Sequence, residues 1–391
     1  MINKQDVLLP GETLGLMGGG QLGRMFAQAA ASMGYHVAVI EPGASSPAGE
    51  VSREQIATKY DDEEGLKQLA GKVKAITTEF ENVPAPSLAF LEKAGLRVCP
   101  PSAAVAVTQD RNVEKHYISA VAGVPVAPNA PVRTEADLDG LDETLLPGIL
   151  KTARLGYDGK GQARVATLDD VREAFKAFGG VECVLEKRLN LKLEVSVIVA
   201  RNAAGETATF PVSENFHRNG ILAVSVLPAR IDEETADRAR AYAAKIAAAL
   251  DYVGVLCVEL FVLEDGTLMA NELAPRPHNS GHATIDACVT SQYEQQVRTM
   301  AGLPLGDTRQ HSYAVMLNIL GDEWFDENGV KREPDWAGVT AIPGAKLHIY
   351  GKADARRARK MGHVTLVGAT AEEAMTRARE AARILHLPEP V

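Results

Sequence analysis

Two carboxylates in the segment GVLCVELFVLEDGTLMANELAPR stand where strand geometry would set them face to face. Asp265-Gly266 separates two apolar runs, and Asp-Gly is a favoured two-residue type I′ turn because both central positions must reach φ > 0. With that turn as the loop, Glu264 pairs with Thr267. Counting outward then sets Glu259 opposite Glu272, both projecting from one face of the hairpin. Directly opposed like charges destabilise a strand pair, and at ~6 Å and an effective dielectric of ~20 the repulsion is roughly 3 kcal/mol. The neighbours Val258, Leu260, Ala270 and Leu273 are apolar, so plain solvation is a poor remedy. A hard cation such as Mg²⁺ takes carboxylate oxygens and brings phosphates with it. The other readings are a solvated pair or a salt bridge to arginine, since buried charges need partners of some kind.

Four further clusters carry chemistry. Gly18-Gly19-Gly20-Gln21-Leu22-Gly23 fits GxGxxG, and Glu41 falls where a dinucleotide fold places its ribose acid. The same strand, glycine turn and helix N-terminus would hold any phosphate, or be only a tight turn. No Lys-Ser/Thr follows the glycines, which rules out a P-loop. The second cluster sets Lys151 at a strand end, followed by Leu155-Gly156-Tyr157-Asp158-Gly159-Lys160-Gly161-Gln162. It suits either a flap whose N–H groups close over polyphosphate beside the lysine charge or a plain surface turn. The third is Arg276-Pro277-His278-Asn279-Ser280-Gly281-His282. The i, i+4 histidines have metal-pair spacing, but Pro277 and Gly281 favour a loop that offers anion or substrate contacts. The fourth is Lys352, Arg356, Arg357, Arg359 and Lys360, which reads as a solvated face or as a site for a phosphorylated small substrate.

These clusters need strands and helices to hold them. Across the first hundred residues TLGLMG, HVAVIE, KAITTE and RVCPP alternate with the helical patterns Gln21 to Met33 and SLAFLEKAG, which predicts βαβ units and a parallel sheet. A Pro-rich stretch, Val124 to Pro131, leads into a smaller unit with LLPGILK, a helix near Leu168 to Phe178 and the strand ECVLEK. Strands near Leu193 to Val199 and Ala223 to Leu227 follow, then a helix from Glu233 to about Leu250. Its Ala239, Ala243, Ile246, Ala247 and Leu250 share one face. The C-terminal third mixes strands (AVMLNIL, KLHIY) with a helix, Ala371 to Ile384.

With 391 residues, 46% of them hydrophobic, the chain should divide into two or three packed units. The 51 acidic residues against 41 basic give a net charge of −10, which disfavours nucleic acid or an anionic membrane as partner and makes any phosphate site local. Cys99, Cys183, Cys257 and Cys288 lie far apart with no CxxC pair and read as reduced core residues. No stretch reaches the ~18 apolar residues of a membrane span, and no secretory signal opens the chain, so a cytoplasmic location is expected.

In their order along the chain, GGGQLGRM, Lys151 with GYDGKGQ, VLEK, EVSV, the Glu259 strand, NELAPRPHNSGH and a basic tail before MGH resemble the ATP-grasp superfamily. Within it they are most similar to the family of N5-carboxyaminoimidazole ribonucleotide synthetases, from about Leu14 to the His363 region. The resemblance implies an α/β fold that becomes α+β toward the C-terminus. Its parts would be a Rossmann-like pre-ATP-grasp domain (1–112), a middle lid domain (113–186) and a C-terminal ATP-grasp domain with the basic tail (187–391).

It also implies ATP- and bicarbonate-dependent carboxylation of aminoimidazole ribonucleotide through carboxyphosphate, with Mg²⁺ as cofactor and a homodimer as assembly. Arg111 and Lys151 would contact the ATP phosphates, and Gly156, Tyr157, Asp158, Gly159, Lys160, Gly161 and Gln162 would close over them. Glu186, Lys187 and the backbone at Arg188 and Leu189 would receive adenine. Glu194 would hold the ribose and His217 would line the site, while Glu259 and Glu272 would bind Mg²⁺ beside Asn271. The ribonucleotide would meet Gly20, Gln21 and Leu22, Glu81, Tyr157 and Asp158, and Lys352, Arg359 and Lys360. Arg276, His278 and Asn279, with Lys151, would serve bicarbonate and carboxyphosphate. A formate-dependent glycinamide ribonucleotide transformylase of the same superfamily is the nearest alternative. A nucleotide-binding module without turnover is the other.

Overall fold

The computed structural model describes residues 7–156 and 161–390. Three sheets follow one another along the chain. The first is all parallel and contains β1 (Thr13–Met17), β2 (His36–Ile40), β3 (Glu54–Ile56), β4 (Ala75–Thr78) and β5 (Arg97–Val98), in the order β3-β2-β1-β4-β5. Helices cover it, as the alternating pattern requires. The second sheet, antiparallel, contains β6 (Asn129–Val132), β7 (Gly148–Thr152), β8 (Gln162–Val165) and β9 (Cys183–Lys187), ordered β6-β9-β7-β8.

The third sheet has nine strands: β10 (Leu191–Arg201), β11 (Thr207–Thr209), β12 (Ser213–Arg218), β13 (Ile221–Leu227), β14 (Gly254–Leu263), β15 (Leu268–Ala274), β16 (Tyr313–Leu320), β17 (Ala345–Ile349) and β18 (Lys360–Gly368). Its order is β15-β14-β10-β12-β13-β16-β18-β17, with β11 beside β10. Period-2 alternation splits its two faces. Val195, Val197, Val199, Val258 and Leu260 turn to one side and pack on the buried stripe Ala239, Ala243, Ile246 and Ala247 of the helix Glu233–Ala249. Asp232 caps that helix by accepting the Thr235 N–H. On the other side the same strands present Glu194, Ser196, Asn215, His217, Glu259 and Glu272, so the apolar back fixes a polar front.

The hairpin that carries the glutamates corrects one expectation. Leu263 N–H bonds to Thr267 C=O and Val262 pairs with Leu268, so the loop has three residues and only Gly266 takes a positive φ, 81°. This is the G1-bulge form of a hairpin and not the two-residue type I′ turn. Near the turn the register is therefore one residue away from the predicted one. A second bulge restores it: Leu260 pairs with Ala270 but Glu259 with Glu272, leaving Asn271 as the extra residue. The two carboxylates face each other as expected, through two offsets that cancel.

All four cysteines are buried and unpaired. Among the described residues no helix is long and apolar enough to cross a membrane.

Candidate active site

The glutamate pair lies in a net of cations. Asp110 caps the helix Arg111–His116 by accepting the N–H groups of Asn112 and Val113. Helical spacing then puts Arg111 and Lys115 on one side, toward β15 and β9. Arg111 Nη1 donates to Glu272 Oε2 at 2.8 Å, and Arg111 Nη2 reaches the carbonyl of Gly156 at 3.4 Å. Although burial would raise the Glu272 carboxyl, Arg111 holds it well below the usual range. Burial and the facing Glu272 charge push Glu259 up. Thus the arginine alternative is realised at Glu272, while Glu259 meets His278 Nε2 at 3.2 Å.

Lys115 is a residue the sequence reading missed. It is 1% exposed, and its Nζ donates to Asn271 C=O at 2.5 Å and lies 3.2 Å from Glu186 Oε2. Lys151 Nζ approaches the same oxygen at 3.0 Å. Burial lowers the Lys151 pKa against the pull of Glu186, whereas the two lysines outweigh burial and lower that of Glu186. The second Glu186 oxygen, Oε1, is buried without a partner among the described residues, as is Asn271 Oδ1. The i, i+4 spacing of Arg111 and Lys115 was the available signal.

The residues expected on the adenine side lie on β9, β10 and β12 and in the connection after β9. Lys187 and Arg188 spend their N–H groups on the carbonyls of Pro128 and Pro147, so backbone donation there falls to Leu189. Glu194 Oε2 lies 2.9 Å from His217 Nδ1, which raises the His217 pKa against its burial. Of the flap, Gly161 accepts from Thr152 N–H and Gln162 pairs with Lys151 in β8 and β7. Tyr157, Asp158, Gly159 and Lys160 lie outside the described residues.

Beyond Glu259, the loop after β15 sends Arg276 Nε to Glu81 Oε2 at 2.6 Å. Burial acts on both groups, and their mutual attraction keeps Arg276 charged and Glu81 ionised. His278 is pushed well below its ordinary pKa by burial, then by Arg276. Asn279 is 7% exposed, and among the described residues neither Nδ2 nor Oδ1 has a partner. A buried amide with both ends unsatisfied suits a ligand that both donates and accepts. His278 and His282 do not form a metal pair: His278 turns to Glu259, while the His282 ring lies tilted against His363, centroids 4.6 Å apart.

Gln21, Leu22, Glu81, Arg276, Lys352 and Arg359 border one cavity of about 1130 Å³, with Lys360 among its further lining residues. Residues from both ends of the sequence meet there, and the rest of the basic cluster, Arg356 and Arg357, lines it too. Gly20 departs from expectation. Its N–H and that of Gly23 bind the two oxygens of Glu79 at 2.6 and 2.9 Å, while Gly19 N–H binds Glu41 Oε2 at 2.8 Å. Glu41 also accepts from Tyr60 OH at 2.6 Å. The GxGxxG turn therefore holds the protein's own carboxylates. Its glycines make room for them: a Cβ on Gly20 would sit 2.3 Å from Glu79 Oε1. Glu41 is committed, and the dinucleotide reading loses its ribose acid.

The donor set fits magnesium. Among the described residues no group of three or more His, Cys, Asp or Glu forms a cage. Two carboxylates are what Mg²⁺ takes from protein when phosphates and water complete its octahedron.

Comparison with known proteins bears on this arrangement. Residues 11–109 match the ribonucleotide synthetase preATP-grasp domain, 118–293 the ATP-grasp domain, and 314–377 the phosphoribosylaminoimidazole carboxylase C-terminal domain. The N5-carboxyaminoimidazole ribonucleotide synthase of Brucella melitensis is 48% identical over 363 residues, 92% of this chain and 97% of that protein. The solved ADP complex of an N5-carboxyaminoimidazole ribonucleotide synthetase has a TM-score of 0.89 at 44% identity, covering 97% of both chains. The Aspergillus clavatus synthase in complex with ADP and 5-aminoimidazole ribonucleotide has a TM-score of 0.85 at 30% identity, covering 96% of this chain and 98% of that one.

Proposed function

This chain belongs to the N5-carboxyaminoimidazole ribonucleotide synthase family of ATP-grasp ligases, and on that premise we propose how its residues divide the work. The reaction is the ATP-dependent carboxylation of 5-aminoimidazole ribonucleotide by bicarbonate, giving ADP, phosphate and the N5-carboxy product. The observation that carries the assignment of roles is the position of Arg276. It borders the large cavity through its pair with Glu81, and two residues on, His278 reaches Glu259. Acceptor and phosphoryl chemistry thus meet at one loop.

ATP lies between the second and third sheets. Glu186 Oε1 accepts from the adenine amine, and Glu194 holds the ribose beside His217. Lys151 and Arg111 turn to the phosphates, and Lys115 holds Glu186 and the Asn271 carbonyl in place. Glu259 and Glu272 hold Mg²⁺, which when bound offsets charge on the transferring phosphoryl group. Arg276 and Asn279 hold bicarbonate so that its oxygen attacks the γ-phosphorus, with ADP as leaving group. Carboxyphosphate then splits to phosphate and CO₂, which the substrate amine captures with loss of a proton. Water must be kept from the site, since it would consume the intermediate. In the cavity Lys352, Arg359 and Lys360 and the N-terminal turn at Gln21 and Leu22 take the ribonucleotide phosphate, and Glu81 takes its hydroxyls.

The division into 1–112, 113–186 and 187–391 and a homodimeric assembly belong to the same proposal. Light scattering of the purified protein checks the assembly. The chemistry is tested by ADP release, expected to need both aminoimidazole ribonucleotide and bicarbonate. Dependence on formate and glycinamide ribonucleotide instead would overturn it.

A further inference from the structure

The sheet face that carries the glutamates also carries four buried polar side chains without a role in this scheme. Ser196 on β10 and Asn215 on β12 share that face, Ser225 on β13 pairs with Asn215, and the loop after β15 lays Ser280 over them. Ser225 Oγ donates to Asn215 Oδ1 at 2.7 Å, and Asn215 Nδ2 donates to Ser196 Oγ at 2.9 Å. Ser196 Oγ donates to Ser280 Oγ at 2.7 Å, which in turn lies 2.8 Å from His278 Nδ1. None of the four is more than 5% exposed. Each would be costly if left unpaired, so an unbroken chain of them is a committed arrangement.

The chain has a direction. An amide donates from one end and accepts at the other. With Asn215 in this sense each hydroxyl accepts from one neighbour and donates to the next, so Ser280 reaches Nδ1 as a donor. The far end requires the same. The Ser280 backbone N–H, which can only donate, points at Nδ1 from 3.3 Å, and the Glu259 carboxylate lies at Nε2. A reversed chain would aim an Nδ1–H at that N–H. With Nδ1 accepting at both contacts, the ring carries its proton on Nε2, the nitrogen that faces Glu259.

We propose that Ser225, Asn215, Ser196 and Ser280 are positioning residues that lock His278 as its Nε2–H tautomer, a hydrogen-bond donor and not a base toward Glu259 and the bicarbonate oxygens. The roles of Glu259 and His278 in this statement rest on the function proposed above. The lock orients a metal-binding carboxylate from behind, as outer partners of metal ligands do. It also excludes His278 as the group that takes a proton from bicarbonate.

The tautomer is read in the free, metal-free protein by nitrogen-detected NMR of labelled histidine, with His278 assigned through His278→Gln. A neutral ring protonated at Nε2 is expected; an Nδ1–H or doubly protonated ring overturns the proposal. Ser280→Ala should mix the two tautomers and raise the Mg²⁺ needed for half-maximal turnover by roughly tenfold, with the KM for the ribonucleotide unchanged. Asn215→Leu should shift both readouts the same way by less. A Ser280→Ala protein with the wild-type tautomer and magnesium dependence overturns the proposal. If that variant does not fold, the wild-type spectrum decides alone. Wild-type protein that releases no ADP would sink the functional reading but leave the tautomer result standing.

Discussion

Replacing Glu272 by Gln keeps the side chain's shape and removes one charge from the opposed pair, and its effects on stability and on chemistry should separate. Two large terms nearly cancel in the free protein. Relief of the repulsion from Glu259, taken at ~6 Å and an effective dielectric of ~20, gains roughly 3 kcal/mol, and loss of the Arg111 pair, with charge centres ~4 Å apart, costs about 4 kcal/mol. Because the Glu272 side chain is 37% exposed, solvent shrinks both. The net change is about 1 kcal/mol or less, which moves the melting temperature by no more than a few degrees. Turnover has no such cancellation. The variant loses one of two anionic metal ligands, and removing a single group that stabilises developing charge costs ~10²–10³ in kcat. Substrate-dependent ADP release over a magnesium titration, with a thermal melt on the same sample, measures both. Turnover near that of the wild type with the same magnesium requirement would falsify the assignment of the pair, while a collapsed melt would show that the Arg111 pair outweighs the repulsion.

Glu186→Gln leaves Lys115 and Lys151 buried without their carboxylate and should cost about 3 kcal/mol of stability in denaturant titrations. In the wild type those lysines hold the Glu186 carboxyl below its ordinary value against burial. Its contribution is therefore present above that value and lost as pH falls through the depressed folded-state pKa. Melts across this range should show Glu186→Gln flatter than wild type; parallel curves would refute the ion-pair account. Gly20→Ala drives a Cβ into Glu79 and should destabilise the first sheet by about 1–3 kcal/mol. An unchanged melt would mean that Glu79 is not the anion of that turn. Arg359→Ala removes a charge-assisted contact of about 1.5–3 kcal/mol and should raise the KM for the ribonucleotide about tenfold or more while leaving that for ATP nearly unchanged. Equal effects on both would argue against a substrate-phosphate site in the cavity.

Much of the architecture could be read from local pattern, because period-2 and helical periodicity are properties of neighbouring residues. The parallel sheet, the helix Glu233–Ala249 with its apolar stripe and the hairpin bearing Glu259 and Glu272 all follow from spacing. Even there, local counting missed the three-residue turn and the bulge at Asn271. Val126 forms a bridge with Ala270, and Ala270 donates to Pro125 C=O next to the bulge at Asn271. The strand Ser213–Arg218, which carries Asn215 and His217, gave no comparable signal, since its polar residues face a site and not water.

What the sequence determined by itself was the inventory: which side chains carry charge, which loops bend at glycine and which strands have one apolar face. What only the tertiary structure decided was partnership. Arg111 pairs with Glu272, 161 positions away, and Glu81 with Arg276, 195 away. Lys115 shares Glu186 with Lys151, and Glu41 and Glu79 fill a turn whose motif reads as a phosphate site. The physical reason is that a charge or an N–H group is satisfied by whatever group the fold brings within about 3 Å, and that distance is set by packing across sheets, which no local spacing records.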